Sequence, residues 1–231
     1  MAMLLSSPVF GLVLTSIVGL LGLYIKKKIA WSLFNPMLFS MLFIIVFLVV
    51  LNVPYSDYKV GGDYIMKMLG PITVVLAVPL YQHHDKLKEH AFAILFGVIL
   101  GSLVAVVSVY LFSLFAGLDM LLLKSLLPRS VTTPIGIASS EMIDGLVGLT
   151  IVSIVITGIF GAIIASWVFK TFNITEPIAK GVALGTSAHA IGTGRAFELG
   201  NLEGAFSGLS IAIAGVSTIL WLMLFQMIGL L

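Results

Sequence analysis

Gly185-Thr-Ser-Ala-His-Ala-Ile-Gly-Thr-Gly-Arg-Ala196 lies within a segment long enough to reach into a membrane. It holds a histidine, an arginine, three hydroxyl residues and three glycines, and Leu184 and Ile191 are the only large apolar side chains before Phe197. A helix facing lipid has no use for that polarity. An arginine at a helix centre costs roughly 2.5–3.5 kcal/mol to insert, so ionisable residues at depth line pathways or sites. Glycines let a backbone approach a ligand or interrupt a helix.

The rest of the chain supplies the membrane context. Its 231 residues are 60% hydrophobic and 10% charged, with a mean hydropathy of +1.19. Apolar stretches of this length read as membrane spans, and their continuity favours helices over an alternating barrel. A net charge of +2 without a basic tail is too small to suggest a nucleic-acid partner, and none is expected. The absence of cysteine excludes disulfides and thiolate metal sites. Of four histidines, three fall at 83–90 beside Lys86, Lys88 and Glu89, which reads as a solvated loop and not a metal set. No nucleophile–base pair stands out, so neither an enzyme nor a cofactor is expected.

Spans are expected at 9–25, 29–51, 64–81, 91–116, 147–170, 177–197 and 204–230. The reading is an all-α polytopic membrane protein, one integral domain over 1–231, with about seven to eight transmembrane helices plus re-entrant or broken half-helices. The first apolar run precedes Lys26-Lys27-Lys28 and has no small-residue cleavage site, so it reads as a retained span with its N-terminus outside. Residues 118–144 are interrupted by Pro128-Arg129-Ser130-Val131-Thr132-Thr133-Pro134. A re-entrant pair of half-helices fits them better than one span. It also puts Lys26–Lys28, Lys86, Lys88, Lys170 and Lys180 on the cytoplasmic side, as positive charge at span ends demands.

An internal repeat is suggested by Leu69-Gly70 and Leu184-Gly185, each opening a Gly/Pro-broken segment before a long apolar helix. The charge pattern gives the copies, about 1–116 and 117–231, opposite orientations. Paired interrupted segments of this kind point to a transporter site at the midplane.

Each candidate residue carries a structural alternative. Thr132-Thr133-Pro134 after Arg129-Ser130 suits a half-helix start whose free N–H groups face an anion, or an ordinary capped start. His189 is a proton carrier or ligand donor, or a histidine bonded between helices. Arg195 clamps a carboxylate, or pairs with Glu198. Asn35 with Pro36, and Gly70-Pro71 with Pro79, expose carbonyls to a substrate or merely kink a helix. Glu141, the one carboxylate near a half-helix, is a second proton-coupling candidate, or more simply a residue of the outside surface. Gly97 and Gly101 suit close helix packing.

Asn35-Pro36, Pro54-Tyr55 with Tyr58 and Gly61, Leu69-Gly-Pro71 with Leu76-Ala-Val-Pro-Leu-Tyr81, Ser130-Val-Thr-Thr-Pro-Ile135, the 185–196 stretch and Glu203-Gly-Ala-Phe-Ser207 together resemble the LrgB/CidB family. The resemblance runs from about 31 to 220. Here Arg129 stands where that family commonly has lysine, Ser187-Ala188-His189 replaces Ala-Ser-His, and Gly194 replaces alanine.

The resemblance implies an antiholin-like or holin-like protein that modulates murein hydrolase activity and autolysis with a small LrgA/CidA-type membrane partner. It also implies movement of small monocarboxylates such as pyruvate, glycolate or glycerate. The expectation is therefore a carrier of a small carboxylate in the bacterial cytoplasmic (inner) membrane, with a proton as the expected coupling ion and a homo-oligomeric state. Arg129, Ser130, Thr132, Thr133, Pro134, Thr186, Ser187, His189, Thr193, Arg195, Asn35 and Pro71 are its candidate substrate-binding residues. The alternative is the antiholin-like regulator, with no substrate of its own.

Overall fold

A computed structural model describes residues 7–29, 34, 36–68, 71, 74–75 and 77–231. They fall into two compact units, Met1–Val75 and Leu76–Leu231. All regular structure among the described residues is helical. Among the described residues, four helices are long and apolar enough to cross a membrane.

The first unit holds α1 (Pro8–Ile29), α2 (Pro36–Val50) and α3 (Tyr55–Lys67). Lys26, Lys27 and Lys28 form the last turn of α1, where cations complement the helix dipole. Gly11 and Gly61 mark the crossing of α1 and α3: a β-carbon on Gly61 would stand 2.6 Å from the Gly11 Cα. Thr15 and Tyr58 hydroxyls meet at 2.9 Å beside it. Val18, Ile44, Leu48 and Val53 fill the small core. The span expected at 64–81 is not one helix. α3 carries Asp57, Lys59, Asp63 and Lys67 and closes at Met68; Pro71, Val74 and Val75 are helical, and the second unit opens with the short α4 (Ala77–Gln82).

The second unit continues with α5 (His84–Phe115), α6 (Met120–Leu126), α7 (Thr133–Met142), α8 (Val147–Thr171), α9 (Pro177–Leu199) and α10 (Asn201–Met227). The histidine-rich stretch read as a loop is mostly the first two turns of α5. α5 and α10 run parallel: Ile94 shares a core cluster with Phe206, and Val106 and Val109 share another with Leu222 and Phe225. Trp221 Nε1 donates to Ser102 Oγ between them at 3.2 Å. α8 runs the other way. Asp144 and Asn173, residue types that tolerate left-handed backbone, turn the chain after α7 and α8 with φ of 57° and 53°.

Residues 118–146 form a helical hairpin, as the broken sequence there implies. Leu146 N–H donates to Ser125 Oγ at 2.7 Å, and Gly136 stands beside the Pro128 carbonyl. α7, with 10 residues, is about 15 Å long, half the thickness of a bilayer core. Thr150 on α8 fastens the hairpin: its Oγ1 lies 2.8 Å from both Ser125 O and Ser140 Oγ.

α9 corrects the expectation of a span at 177–197. The helix breaks at His189, whose φ of 41° and ψ of −134° are non-helical. A β-carbon on Gly192 would lie 3.2 Å from the Leu184 carbonyl carbon, whereas a continuous helix separates residues 184 and 192 by about 12 Å. Ala196 likewise shares one cluster with Leu184. The chain therefore doubles back, and α9 is a second hairpin with arms 177–188 and 190–199.

Gly97 and Gly101 on α5 face Val182 and Thr186 in the same order, so the first arm of α9 runs parallel to α5. Gly161 and Ala165 on α8 pair with Ala188 and Leu184 in reverse order. The α6–α7 hairpin therefore hangs from one end of this helix layer and the α9 hairpin from the other.

Candidate binding cleft

The α6–α7 tip and the first arm of α9 line one cleft of about 870 Å³, within the range of small-molecule sites. Arg129 and Ser130 come from the α6–α7 tip, and Thr186 and Ser187 from the first arm of α9 just before its tip. α5 contributes one wall with Gly97, Gly101 and Val104, and α8 another with Ile156, Thr157 and Phe160. His90 and Glu176 line it near the starts of α5 and α9. Leu127 packs with Val106, which sets Arg129 toward the far end, beyond Gly101.

Among the described residues, Arg129 is the sole lysine or arginine of this lining. Its Nε is buried with no hydrogen-bond partner, and no carboxylate pairs with it among the described residues. Thr186 is 6% exposed, and its Oγ1 also lacks a partner. Buried polar groups without partners are costly, so a pair of them at one cleft marks a place for a ligand or water.

Thr132 caps α7 in extended backbone with no side-chain cap bond, and Pro134 occupies the first turn. The half-helix start expected from Thr132-Thr133-Pro134 is thus present. Thr132 and Thr133 are half-buried and Pro134 is exposed, and all three follow Arg129, Ser130 and Val131 without lining the cleft.

His189 and Thr193 are buried behind the α9 tip and do not line the cleft. The His189 ring nitrogen Nε2 lies 3.0 Å from Ile154 O; a carbonyl only accepts, so Nε2 donates. Thr193 Oγ1 joins Ser207 Oγ at 2.7 Å and His189 O at 3.1 Å. Both residues hold the break in α9 against α8 and α10. Arg195 is engaged on the second arm, 2.5 Å from Glu198 Oε2 and 2.6 Å from Ser166 Oγ. Ser187 is exposed, its hydroxyl donating to Ala183 O at 2.7 Å. Glu141 is exposed at the end of α7. Pro71 is helical and exposed in the first unit, and Asn35 lies outside the described residues.

Sequence reading missed Thr157, a hydroxyl midway along an apolar span. Gly101 packs closely, as expected, with a β-carbon there 3.1 Å from Thr186 Cγ2, whereas Gly97 leaves room beside Val182.

Comparison with known proteins adds to this geometry. The model of the LrgB-like family matches residues 15–228. The chain belongs to the LrgB-like family. It is 36% identical over 221 residues to the antiholin-like protein LrgB of Bacillus mycoides (strain KBAB4), covering 95% of this chain and 96% of that one. The antiholin-like protein LrgB of Bacillus cereus (strain B4264) is 34% identical over the same shares. A protein of Bacillus subtilis (strain 168) called uncharacterized protein YwbG is 40% identical over 185 residues, 80% of this chain and 82% of that one. No solved structure matches. Several apolar helices and LrgB-like membership together make this a multi-pass membrane protein.

Proposed function

We propose that the chain is an antiholin-like protein of the bacterial cytoplasmic membrane, restraining murein hydrolase activity and autolysis together with a small LrgA/CidA-type membrane partner. The observation that carries this reading is its likeness, over 95% of its length, to a protein named antiholin-like LrgB. The test is lysis of a bacterium lacking its own LrgB. Expressing the chain with such a partner is expected to slow detergent-induced autolysis. Unchanged lysis, with both proteins in the membrane, overturns the reading.

A second reading rests on a different observation, the α6–α7 tip and the first arm of α9 at one cleft with an unpaired Arg129. It is a carrier of a small monocarboxylate, with the proton as coupling ion. The order of span then hairpin occurs in α5 to α7 and again in α8 to α9; this repeat has other bounds than the one expected at 1–116 and 117–231, and it supports interrupted helices meeting at a midplane site. Liposomes holding the protein are expected to take up acetate, pyruvate, lactate, glycolate or glycerate saturably, faster with a proton gradient, and not with Arg129→Gln. A folded protein that moves none of them removes this reading.

A further inference from the structure

The walls of the cleft suit more than a small hydrophilic acid. Arg129, Ser130 and Thr186 gather polar groups toward one end, and His90 and Glu176 lie at the other. Between them the surface is mainly apolar, with Val104, Ile156 and Phe160 exposed along it and Ile164 and Val182 half-buried. From His90 to Ala105, α5 rises about 22 Å along it. Gly97 keeps that wall open: a β-carbon there would meet only Val182 Cγ1, at 3.9 Å.

We propose that this cleft binds monoanions bearing an apolar chain, the carboxylate at Arg129 and the chain along α5, α8 and α9. The proposal rests on the carrier reading above and specifies its substrate class. One unpaired guanidinium matches one carboxylate, which it can hold by two hydrogen bonds. Arg129 is half-buried with its Nε enclosed, and a partly desolvated cation without a counter-charge favours a ligand of single negative charge. A two- or three-carbon acid leaves the apolar wall bare. Each methylene laid on it raises affinity roughly three- to four-fold if fully buried.

The chain has no cysteine, so Gly97→Cys places a unique thiol in the cleft. The experiment measures maleimide labelling of this variant in lipid nanodiscs, with octanoate, acetate or uncharged octanamide added. Phe115→Cys, at a position 93% exposed and outside the cleft lining, is the control. Octanoate is expected to protect the thiol of Gly97→Cys at no more than about a tenth of the acetate concentration, and not to protect the thiol of Phe115→Cys. Adding Arg129→Gln is expected to abolish that protection and Arg129→Lys to retain part of it. If Arg129→Gln does not fold, Thr186→Val, which removes only the unpartnered hydroxyl, is expected to weaken protection several-fold. Equal protection by acetate overturns the apolar-chain proposal and leaves the carrier reading standing. Equal protection by octanamide overturns the carboxylate assignment. No protection by any of them overturns the inference, while liposome uptake decides the carrier reading independently.

Discussion

Gly158 leaves the space that the His189 ring fills: a β-carbon on Gly158 would lie 2.7 Å from Cε1 of His189. The imidazole at the α9 tip is thereby seated against α8 and bonded to the Ile154 carbonyl. Gly158→Ala is expected to destabilise the second unit by about 1–3 kcal/mol, the usual range for overpacking, and Gly158→Val by more. Thermal unfolding followed by size-exclusion chromatography checks the order. Equal melting temperatures for Gly158→Val and the parent would show that the ring does not sit there.

His189 itself turns the chain with φ of 41°, where a side chain is disfavoured and glycine is not. His189→Ala loses the bond to Ile154 and keeps the backbone penalty. His189→Gly loses the bond but relieves the penalty, so it is expected to be the more stable of the two by about 1 kcal/mol. The comparison of their melting temperatures isolates the backbone term. A straight helix at this position would reverse the order, because glycine is the poorer helix former.

Thr150 holds the α6–α7 hairpin through Ser125 and Ser140 in a fully buried setting. Thr150→Val keeps the shape and removes the hydroxyl, leaving the Ser140 hydroxyl to find another partner. A loss of about 1–3 kcal/mol is expected. Faster proteolysis within 126–133, the hairpin tip, is the local readout. Ser108→Ala, which removes a hydroxyl bonded only to its own helix at Ala105 O, is the control expected to change little.

Arg129 and Arg195 separate cleanly. Arg195 is tied to Glu198 and Ser166 and does not line the cleft. Arg195→Ala is expected to change stability by no more than about 1 kcal/mol, typical of a partly exposed pair, and to leave carboxylate protection of the Gly97→Cys thiol unchanged. Arg129→Gln is expected to remove that protection. The converse result would move the anion site to the second arm of α9.

Much of this was legible in the residues. The apolar runs at 147–170 and 204–230 correspond to α8 and α10, because a long hydrophobic stretch has few other stable forms in lipid. Pro128 to Pro134 announced the break between α6 and α7. The reversal at His189 was not legible. Alanine and glycine around it are equally compatible with a straight, closely packed helix, and only contacts between residues 184 and 192 distinguish the two. The helical start of α5 was hidden for a related reason: charged residues at 83–90 look like a loop when helix extends beyond its apolar part. Arg195 and Glu198 were readable as a pair from their spacing. The isolation of Arg129 was not, since it depends on which helices surround it.

Side-specific labelling tests the two-hairpin architecture most directly. In this cysteine-free chain, the exposed positions Glu176 and Asn201 flank α9, and the exposed positions Ala116 and Gly148 flank the α6–α7 hairpin. Each is replaced singly by cysteine, and a membrane-impermeant maleimide is applied to right-side-out and inverted vesicles. The reagent should reach the thiols of Glu176→Cys and Asn201→Cys from one side, and those of Ala116→Cys and Gly148→Cys from the other. Labelling of Glu176→Cys and Asn201→Cys from opposite sides would make α9 a crossing helix and contradict the account.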